Sequence, residues 1–174
     1  MMSFAEQIPL VSPEQAELQK RRANSADSSL WDLLDQVKDP EIPAISLWEL
    51  GVLRDIQRQG DSIKVVITPT YSGCPAMETM SADIHTVLTQ AGFTQVTIEM
   101  SLSPAWTTDW MSSEAREKLH NYGIAPPQQN LDAVSCPHCK SDRVEQVSEF
   151  GSTACKALYR CLDCAEPFDY FKQI

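Results

Sequence analysis

The sequence has no apolar run that could cross a membrane, which takes roughly 20 consecutive apolar residues. Its opening stretch, MMSFAEQIPLVSPEQAELQKRR, also lacks the uninterrupted apolar core of a secretory signal peptide. Without an export signal we expect a cytoplasmic protein, and cysteines in that reducing compartment stay thiols or bind metal. The 6 cysteines of the chain therefore predict metal ligands or free thiols rather than a disulfide framework.

Basic residues are scarce as well. The chain has 14 Lys and Arg against 24 Asp and Glu, which gives a formal net charge of -10 at pH 7. Nucleic-acid binding depends on neutralising phosphates with basic side chains, so this composition argues against a DNA or RNA partner. It argues equally against an anionic membrane surface. An acidic surface fits a protein that docks on other proteins.

The pattern along the chain predicts an α+β fold in two units. We expect a flexible segment at residues 1–26, although Ser12 and Pro13 could open a short helix there. Residues 27–123 read as a small α+β domain, and residues 124–134, with two adjacent prolines, read as a linker. Residues 135–174 read as a separate unit.

Within the first unit, the hydrophobic periodicity predicts a β hairpin followed by a crossover. VLRDIQRQ and SIKVVITP flank a turn at Gly60-Asp61, and TQVTIEMSL alternates as a third strand. Between them, PAMETMSADIHTVLTQAG carries apolar residues at helical spacing. Strand, helix and strand in that order predict a parallel, right-handed connection.

The strongest chemical signal is a pair of CxxC motifs in the second unit. CPHC and CLDC are separated by 21 residues, which is the spacing of a tetrahedral four-sulfur zinc ribbon. The predicted ligands of one structural metal ion are Cys136, Cys139, Cys161 and Cys164. The segment is too short to bury a stabilising core, so metal binding would supply most of its folding energy.

Iron is the alternative metal at these four cysteines. Iron-binding CxxC turns often have glycine after the second cysteine, whereas this chain has Lys140 and Ala165 there. That difference favours zinc. A closed four-thiolate site has no open coordination position, so it favours a structural role, and we expect His138 to point to solvent.

A second candidate site is the thiol in SGCPAMETM. Pro75 suits the first position of a helix, which places Cys74 at the helix cap, where the positive helix end should stabilise a thiolate. Asp39 and Glu41, in the loop DPEIP, could lie nearby and hold a transient iron ion together with Cys74. The alternative is that Cys74 is a small packed residue, Asp39 shapes a turn and Glu41 is solvated.

The same residues resemble a known domain family. VKDPEIPAISLWELGVLRDI followed by TPTYSGCPA is similar to the metal–sulfur cluster assembly family, which includes SufT-like proteins. The runs SLSPAWTTDWMSSEAREKLHNYGIAPP and SEFGSTACKALYRCLDCAEPFDYFK resemble the PaaD family of the bacterial phenylacetyl-CoA epoxidase system, which serves aerobic phenylacetate breakdown. The resemblance implies a cluster-assembly domain with a C-terminal zinc ribbon, and Cys74 as its functional thiol.

The resemblance further implies an accessory, non-catalytic role in assembling iron or iron–sulfur centres. Its partners would be the oxygenase or reductase subunits of the epoxidase. The alternatives are a structural or electron-transfer subunit of that oxygenase complex, and a thiol enzyme that uses Cys74, for which no base or oxyanion site is visible. The sequence leaves open whether two copies form a homodimer.

Cys155 is surplus to the four-cysteine site. One reading is a small residue packed in a short hairpin. The other is a second thiol that cooperates with Cys74, if the ribbon folds against the first domain. Related sequences end in FKCI where this chain has Gln173, so Cys155 has no spare thiol within its own unit to pair with.

Overall fold

The computed structural model describes residues 13–128 and 134–174. Over these ranges the helices are α1 (Pro13–Asn24), α2 (Ser28–Leu34), α3 (Met77–Gln90) and α4 (Ser113–Asn121), with one 3-10 turn (Thr108–Trp110). The strands are β1 (Leu53–Gln59), β2 (Ser62–Ile67), β3 (Gln95–Met100), β4 (Ile124–Ala125), β5 (Val144–Ser148), β6 (Lys156–Cys161) and β7 (Pro167–Phe171). In the described ranges, every helix is too short or too polar to span a bilayer.

The first sheet confirms the predicted hairpin and parallel strand. β1 and β2 pair antiparallel, and β3 pairs parallel to β2 after the α3 crossover, so the strand order is β1-β2-β3. The inward side chains of β2, which are Ile63, Val65 and Ile67, are completely buried. One face of this sheet is therefore covered, and the loop that follows β2 leaves the sheet from a rigid, buried strand.

Helix α3 covers this sheet with the face that its sequence periodicity predicts. Met77, Met80, Ile84 and Leu88 are buried at spacings of three and four residues. The turn TPTYSGC, which connects β2 to α3, is thereby fixed at both ends.

Helix α1 differs from the flexible segment that we expected for residues 1–26. Residues 13–24 form a helix, and its Leu18 is buried in the core. Arg22, one turn further on, lies over the ring of Trp48 with 5.1 Å between guanidinium carbon and ring centroid. Leu18 is the one large apolar residue of α1, so the sequence has almost no hydrophobic periodicity there. Residues 1–12, which include the predicted cap Ser12, lie outside the described residues.

The second sheet includes part of the expected linker. Its strand order is β4-β7-β6-β5, and β4 (Ile124–Ala125) pairs parallel to β7. Ala125 and Val134 are buried in the ribbon's own small core. Both ends of the 124–134 segment thus belong to the ribbon, while residues 129–133 lie outside the description.

The ribbon shares a core with the first domain, although we expected a separate unit. Cys155 and Phe171 belong to the first domain's hydrophobic cluster. Trp106 is buried and donates its indole N–H to the carbonyl of Leu50, 3.1 Å away. The backbone N–H of Thr108 donates to the carbonyl of Ile174 across the same junction.

Candidate functional site

The four ribbon cysteines converge on one point. The sulfurs of Cys136, Cys139, Cys161 and Cys164 all lie within 4.8 Å of one another. The Cys136 and Cys164 sulfurs are 3.7 Å apart, and those of Cys139 and Cys161 are 3.5 Å apart. A tetrahedral ion with metal–sulfur bonds of about 2.3 Å requires sulfurs about 3.8 Å apart, so the four thiols fit a tetrahedral metal centre.

Backbone amides in the second CxxC turn point at the sulfur of Cys161. The N–H groups of Asp163 and Cys164 lie 3.4 and 3.5 Å from it. The Cys164 amide contributes most to lowering the pKa of Cys161, to about 7. Donors in these positions favour the thiolate, which is the form that binds metal.

The residue after each CxxC pair has a left-handed backbone. Lys140 and Ala165 have φ of 65° and 63°, a region in which glycine is favoured. The chain therefore adopts the glycine-type turn without glycine, so the missing glycines do not discriminate zinc from iron. His138 is exposed, as expected for a residue that is not a ligand.

Cys74 lies in the loop before α3 but not at its cap. Helix α3 begins at Met77 with Ala76 as its cap residue, so Cys74 precedes the cap by two positions. Its side chain is half-buried and packs against the main hydrophobic core. The Cys74 carbonyl accepts a 3.4 Å hydrogen bond from the N–H of Met77, which ties the loop to the helix.

The predicted stabilisation of the Cys74 thiolate is wrong. Burial is the largest influence, and it raises the pKa of Cys74 above its usual value of 9.0. The Ala76 amide acts in the opposite direction, but the negative charges of Glu41, Cys155 and Asp39 raise the pKa further. Because desolvation outweighs the helix end, Cys74 is a protonated thiol near neutral pH.

Asp39 and Glu41 occupy one turn, and the charges of both raise the pKa of this thiol, after the larger effect of burial. Asp39 is buried, and its Oδ1 accepts hydrogen bonds from the backbone N–H groups of Glu41 and Ile42, both at 2.8 Å. Asp39 therefore shapes the turn, as the simpler reading had it, and Glu41 is exposed. In the described parts of the chain, only the ribbon cysteines form a group of three or more metal-ligating side chains within 4.8 Å.

The sequence interpretation missed a lysine beside this cluster. Lys156 is only 3% exposed, and its Nζ lies 3.7 Å from the carboxylate of Asp169. Its positive charge lowers the pKa of Glu41 and of Asp39, against the larger effect of burial, which raises both. The sequence signal that could have pointed to this lysine is its position directly after Cys155, at the start of a short strand.

The fold and the four-cysteine site define a class of protein: a cluster-assembly-type domain joined to a metal-binding ribbon. Two family models match. The model described as iron-sulfur cluster assembly protein matches residues 27–100, and the PaaD zinc beta ribbon domain matches residues 125–172.

Among curated proteins, a putative 1,2-phenylacetyl-CoA epoxidase subunit of Escherichia coli is 50% identical over 151 residues. The alignment covers 83% of this chain and 92% of that protein. The chain belongs to the PaaD family.

Two further similarities concern the first domain. An Fe-S protein maturation auxiliary factor of Porphyromonas gingivalis is 33% identical over 89 residues, covering 50% of this chain and 84% of that protein. The crystal structure of a domain of unknown function, DUF59, from Bacillus anthracis matches with a TM-score of 0.50 at 24% identity, covering 53% of this chain and 90% of that one. The structural match supports the predicted fold of the first domain.

Proposed function

We propose that this chain is a non-catalytic accessory protein of a bacterial phenylacetyl-CoA epoxidase system, and that it helps to assemble iron or iron–sulfur centres in the oxygenase or reductase subunits. The observation that carries the proposal is the joint match of one chain to an iron–sulfur assembly domain and to a phenylacetyl-CoA epoxidase component. The acidic composition suits a protein that docks on partner subunits in the cytoplasm.

The ribbon would hold one structural zinc ion. Its four sulfurs would fill a tetrahedral coordination shell and leave no position for substrate or water. An ion in this site would stabilise the ribbon and, through the shared core, the way in which the ribbon packs on the first domain.

The candidate carrier site for iron is the loop of Cys74. Its thiol is half-buried beside the DPE turn, so a bound ion would be shielded from solvent yet could leave. Cys74 would be a direct ligand and Glu41 an exposed carboxylate ligand. Asp39 would position Glu41, since its carboxylate is already bonded to two backbone amides.

The deciding experiment measures the iron content of the epoxidase subunits isolated from cells that lack this chain. We expect low iron in the oxygenase or reductase, and restoration by the wild-type chain and by a Ser72→Ala control. Ser72 is an exposed neighbour in the same loop. A Cys74→Ser variant should not restore the iron.

Full iron loading in cells without the chain would overturn the proposal. Anaerobic purification, elemental analysis and an absorbance spectrum test the electron-transfer alternative, because that role requires a redox-active ion in the ribbon. One zinc per chain and no iron would exclude it.

A further inference from the structure

Arg54 occupies an irregular position in strand β1. The partners of Leu53 and Asp55 are consecutive residues of β2, so Arg54 is an extra residue without a partner on that strand. A bulge of this kind bends the strand and redirects the side chain of the extra residue. The guanidinium of Arg54 lies over the indole of Trp110, with 3.3 Å between the guanidinium carbon and the ring centroid. The bulge and the indole together fix where this cation sits.

The Arg54 guanidinium has no anionic partner. Its Nη1 is buried, and over the described ranges no acceptor lies within hydrogen-bonding distance of that nitrogen. Nor does any carboxylate of the described residues form an ion pair with Arg54. Burial, followed by the positive charge of Arg21, lowers the pKa of Arg54 to about 10, so the group is still a cation at pH 7. A charged donor that is removed from water without an acceptor destabilises the fold.

Arg58, further along the same strand, is an arginine whose needs are met. It also lies over an aromatic ring, that of Phe93, with 5.4 Å between its guanidinium carbon and the ring centroid. Its Nη1 is 3.3 Å from the carboxylate of Asp27, and its Nε donates to the carbonyl of Gly60, 3.0 Å away. Stacking on a ring therefore does not prevent an arginine of β1 from finding acceptors, and the lack of them is particular to Arg54.

A cavity of about 310 Å³ borders the Arg54 side chain. The remaining lining residues all belong to helix α1, and they are Pro13, Glu14, Glu17, Leu18 and Arg21. The cavity thus combines two cations with the apolar surface of a proline and a leucine. Its volume is near the lower end of the range for small-molecule sites, which is about 300–1,000 Å³.

The two glutamates restrict the kind of anion that suits this cavity. Glu14 and Glu17 are both exposed. Their charges offset those of Arg21 and Arg54, so the cavity does not have the strong positive field that multivalent phosphates or nucleic acids require. A single carboxylate matches one guanidinium in charge, and its two oxygens match the paired N–H groups in geometry.

We propose that the cavity between α1 and β1 is a binding site for the carboxylate of a small organic acid, with Arg54 as the residue that binds it. The carboxylate would accept hydrogen bonds from the guanidinium edge that faces the cavity, while Trp110 keeps the guanidinium plane in place. Pro13 and Leu18 would contact the hydrocarbon part of the acid. This site goes beyond the proposed function and does not involve the Cys74 loop.

The test uses the whole chain with zinc in the ribbon, titrated with sodium acetate and with sodium butyrate at constant ionic strength. Two-dimensional ¹H–¹⁵N spectra follow the indole N–H of Trp110 and the Nε–H of Arg54. We expect saturable shifts of both signals, and tighter binding of butyrate than of acetate because its chain reaches the apolar wall. Sodium chloride and inorganic phosphate, added in place of the acids, should not produce saturable shifts.

Matched variants locate the binding residue. Arg54→Lys should weaken butyrate binding about tenfold or more, because an ammonium cannot form the paired hydrogen bonds of a guanidinium. Arg58→Lys, on the same strand, should leave binding unchanged. Far-ultraviolet spectra show whether both variants fold.

A second pair of variants does not alter Arg54 at all. Glu14→Gln removes a negative charge from the cavity and should tighten butyrate binding by roughly twofold or more. Glu114→Gln, an exposed carboxylate in the first turn of α4, is its control and should have no effect.

The inference is overturned if acetate and butyrate give no saturable shift at Trp110, or if phosphate or chloride binds equally well. Equal losses in Arg54→Lys and Arg58→Lys would also overturn it. Tighter binding of a glutamate-containing tripeptide than of butyrate would replace the small acid with an acidic side chain of a partner. None of these results decides the proposed function, which depends on the iron content of the epoxidase subunits.

Discussion

The indole of Trp106 packs on the ring of Phe171, with 6.0 Å between centroids and 51° between planes. One ring comes from the first domain and the other from the last strand of the ribbon. Both are almost fully buried, so this contact is the centre of the domain junction.

Replacing Phe171 with alanine should therefore destabilise the junction. Loss of a buried aromatic side chain costs about 3–5 kcal/mol in unfolding free energy. The matched control is Phe150→Ala on the same ribbon, because Phe150 is 59% exposed. Chemical denaturation of both variants measures the difference, and equal losses would contradict this account of the junction.

Gly51 should not tolerate alanine. Its φ is +81°, and an added Cβ would lie 2.8 Å from the backbone oxygen of Trp110. The control is Gly92→Ala. Gly92 has φ of +97°, and an added Cβ there would have no atom within 4 Å, so this variant should lose only the backbone strain energy of about 1–2 kcal/mol. We expect Gly51→Ala to lose clearly more than Gly92→Ala in thermal unfolding. Similar melting temperatures would show that Trp110 can move aside.

Alkylation of Cys74 should be slow at neutral pH and accelerate as the pH rises through and above 9.0. The pKa of this thiol is raised, chiefly by burial and then by Glu41 among other charges, so at pH 7 its thiolate fraction is smaller than that of a free cysteine. Glu41→Gln removes one negative charge and should lower the pKa, which speeds alkylation at a given pH.

The control for that experiment is Glu78→Gln, an exposed carboxylate in the first turn of α3 that does not perturb the Cys74 pKa. Iodoacetamide rates against pH, followed by peptide mass spectrometry, give the profile. A midpoint below that of free cysteine would contradict the burial argument.

Removing the ribbon metal should affect both domains. The ribbon's own core is small, so a strong chelator should unfold β5–β7, and exposure of Phe171 should then lower the melting temperature of the first domain. Tryptophan fluorescence, to which the buried Trp106 contributes, and far-ultraviolet spectra follow the two events. Cys155→Ser should keep its zinc and serves as the control, whereas an unchanged spectrum after complete metal removal would speak against a structural ion.

Ala165→Gly should stabilise the second CxxC turn modestly. Ala165 has φ of 63°, a conformation that strains alanine but not glycine. Relief of this strain should raise the unfolding free energy by about 1 kcal/mol or less, because the greater entropy of glycine in the unfolded chain offsets part of the gain. Ala157→Gly in the interior of β6 is the matched control and should destabilise instead. Zinc release rates and melting curves report both, and a faster release from Ala165→Gly would contradict the prediction.

Local patterns in the sequence predicted much of this structure. The alternation around Gly60, the apolar face of α3 and the spacing of the CxxC pairs each depend on neighbours that are close in sequence. Helix α1 was not predicted, because Leu18 is its one large apolar residue and a single residue gives no periodicity.

The junction between the two domains was harder to predict from the sequence. Trp106 and Phe171 are distant in the chain and come into contact only in the tertiary fold, so no local pattern indicates their contact. The pKa of Cys74 could not be predicted from the sequence for the same reason. A helix start predicts a stabilised thiolate, but the extent of burial decides the sign, and burial is a property of the assembled core.

The two-residue strand β4 has a practical consequence. Because Ile124 and Ala125 pair in parallel with Asp169 and Tyr170 on β7, the chain that leaves the first domain begins as a strand of the ribbon's sheet. A protease that cuts after Ala125 would leave the peptide before the cut bound to the ribbon as an added strand. The two halves should then co-elute after cleavage, and a ribbon grafted onto another protein would need to carry its own entry strand from Gly123 onward.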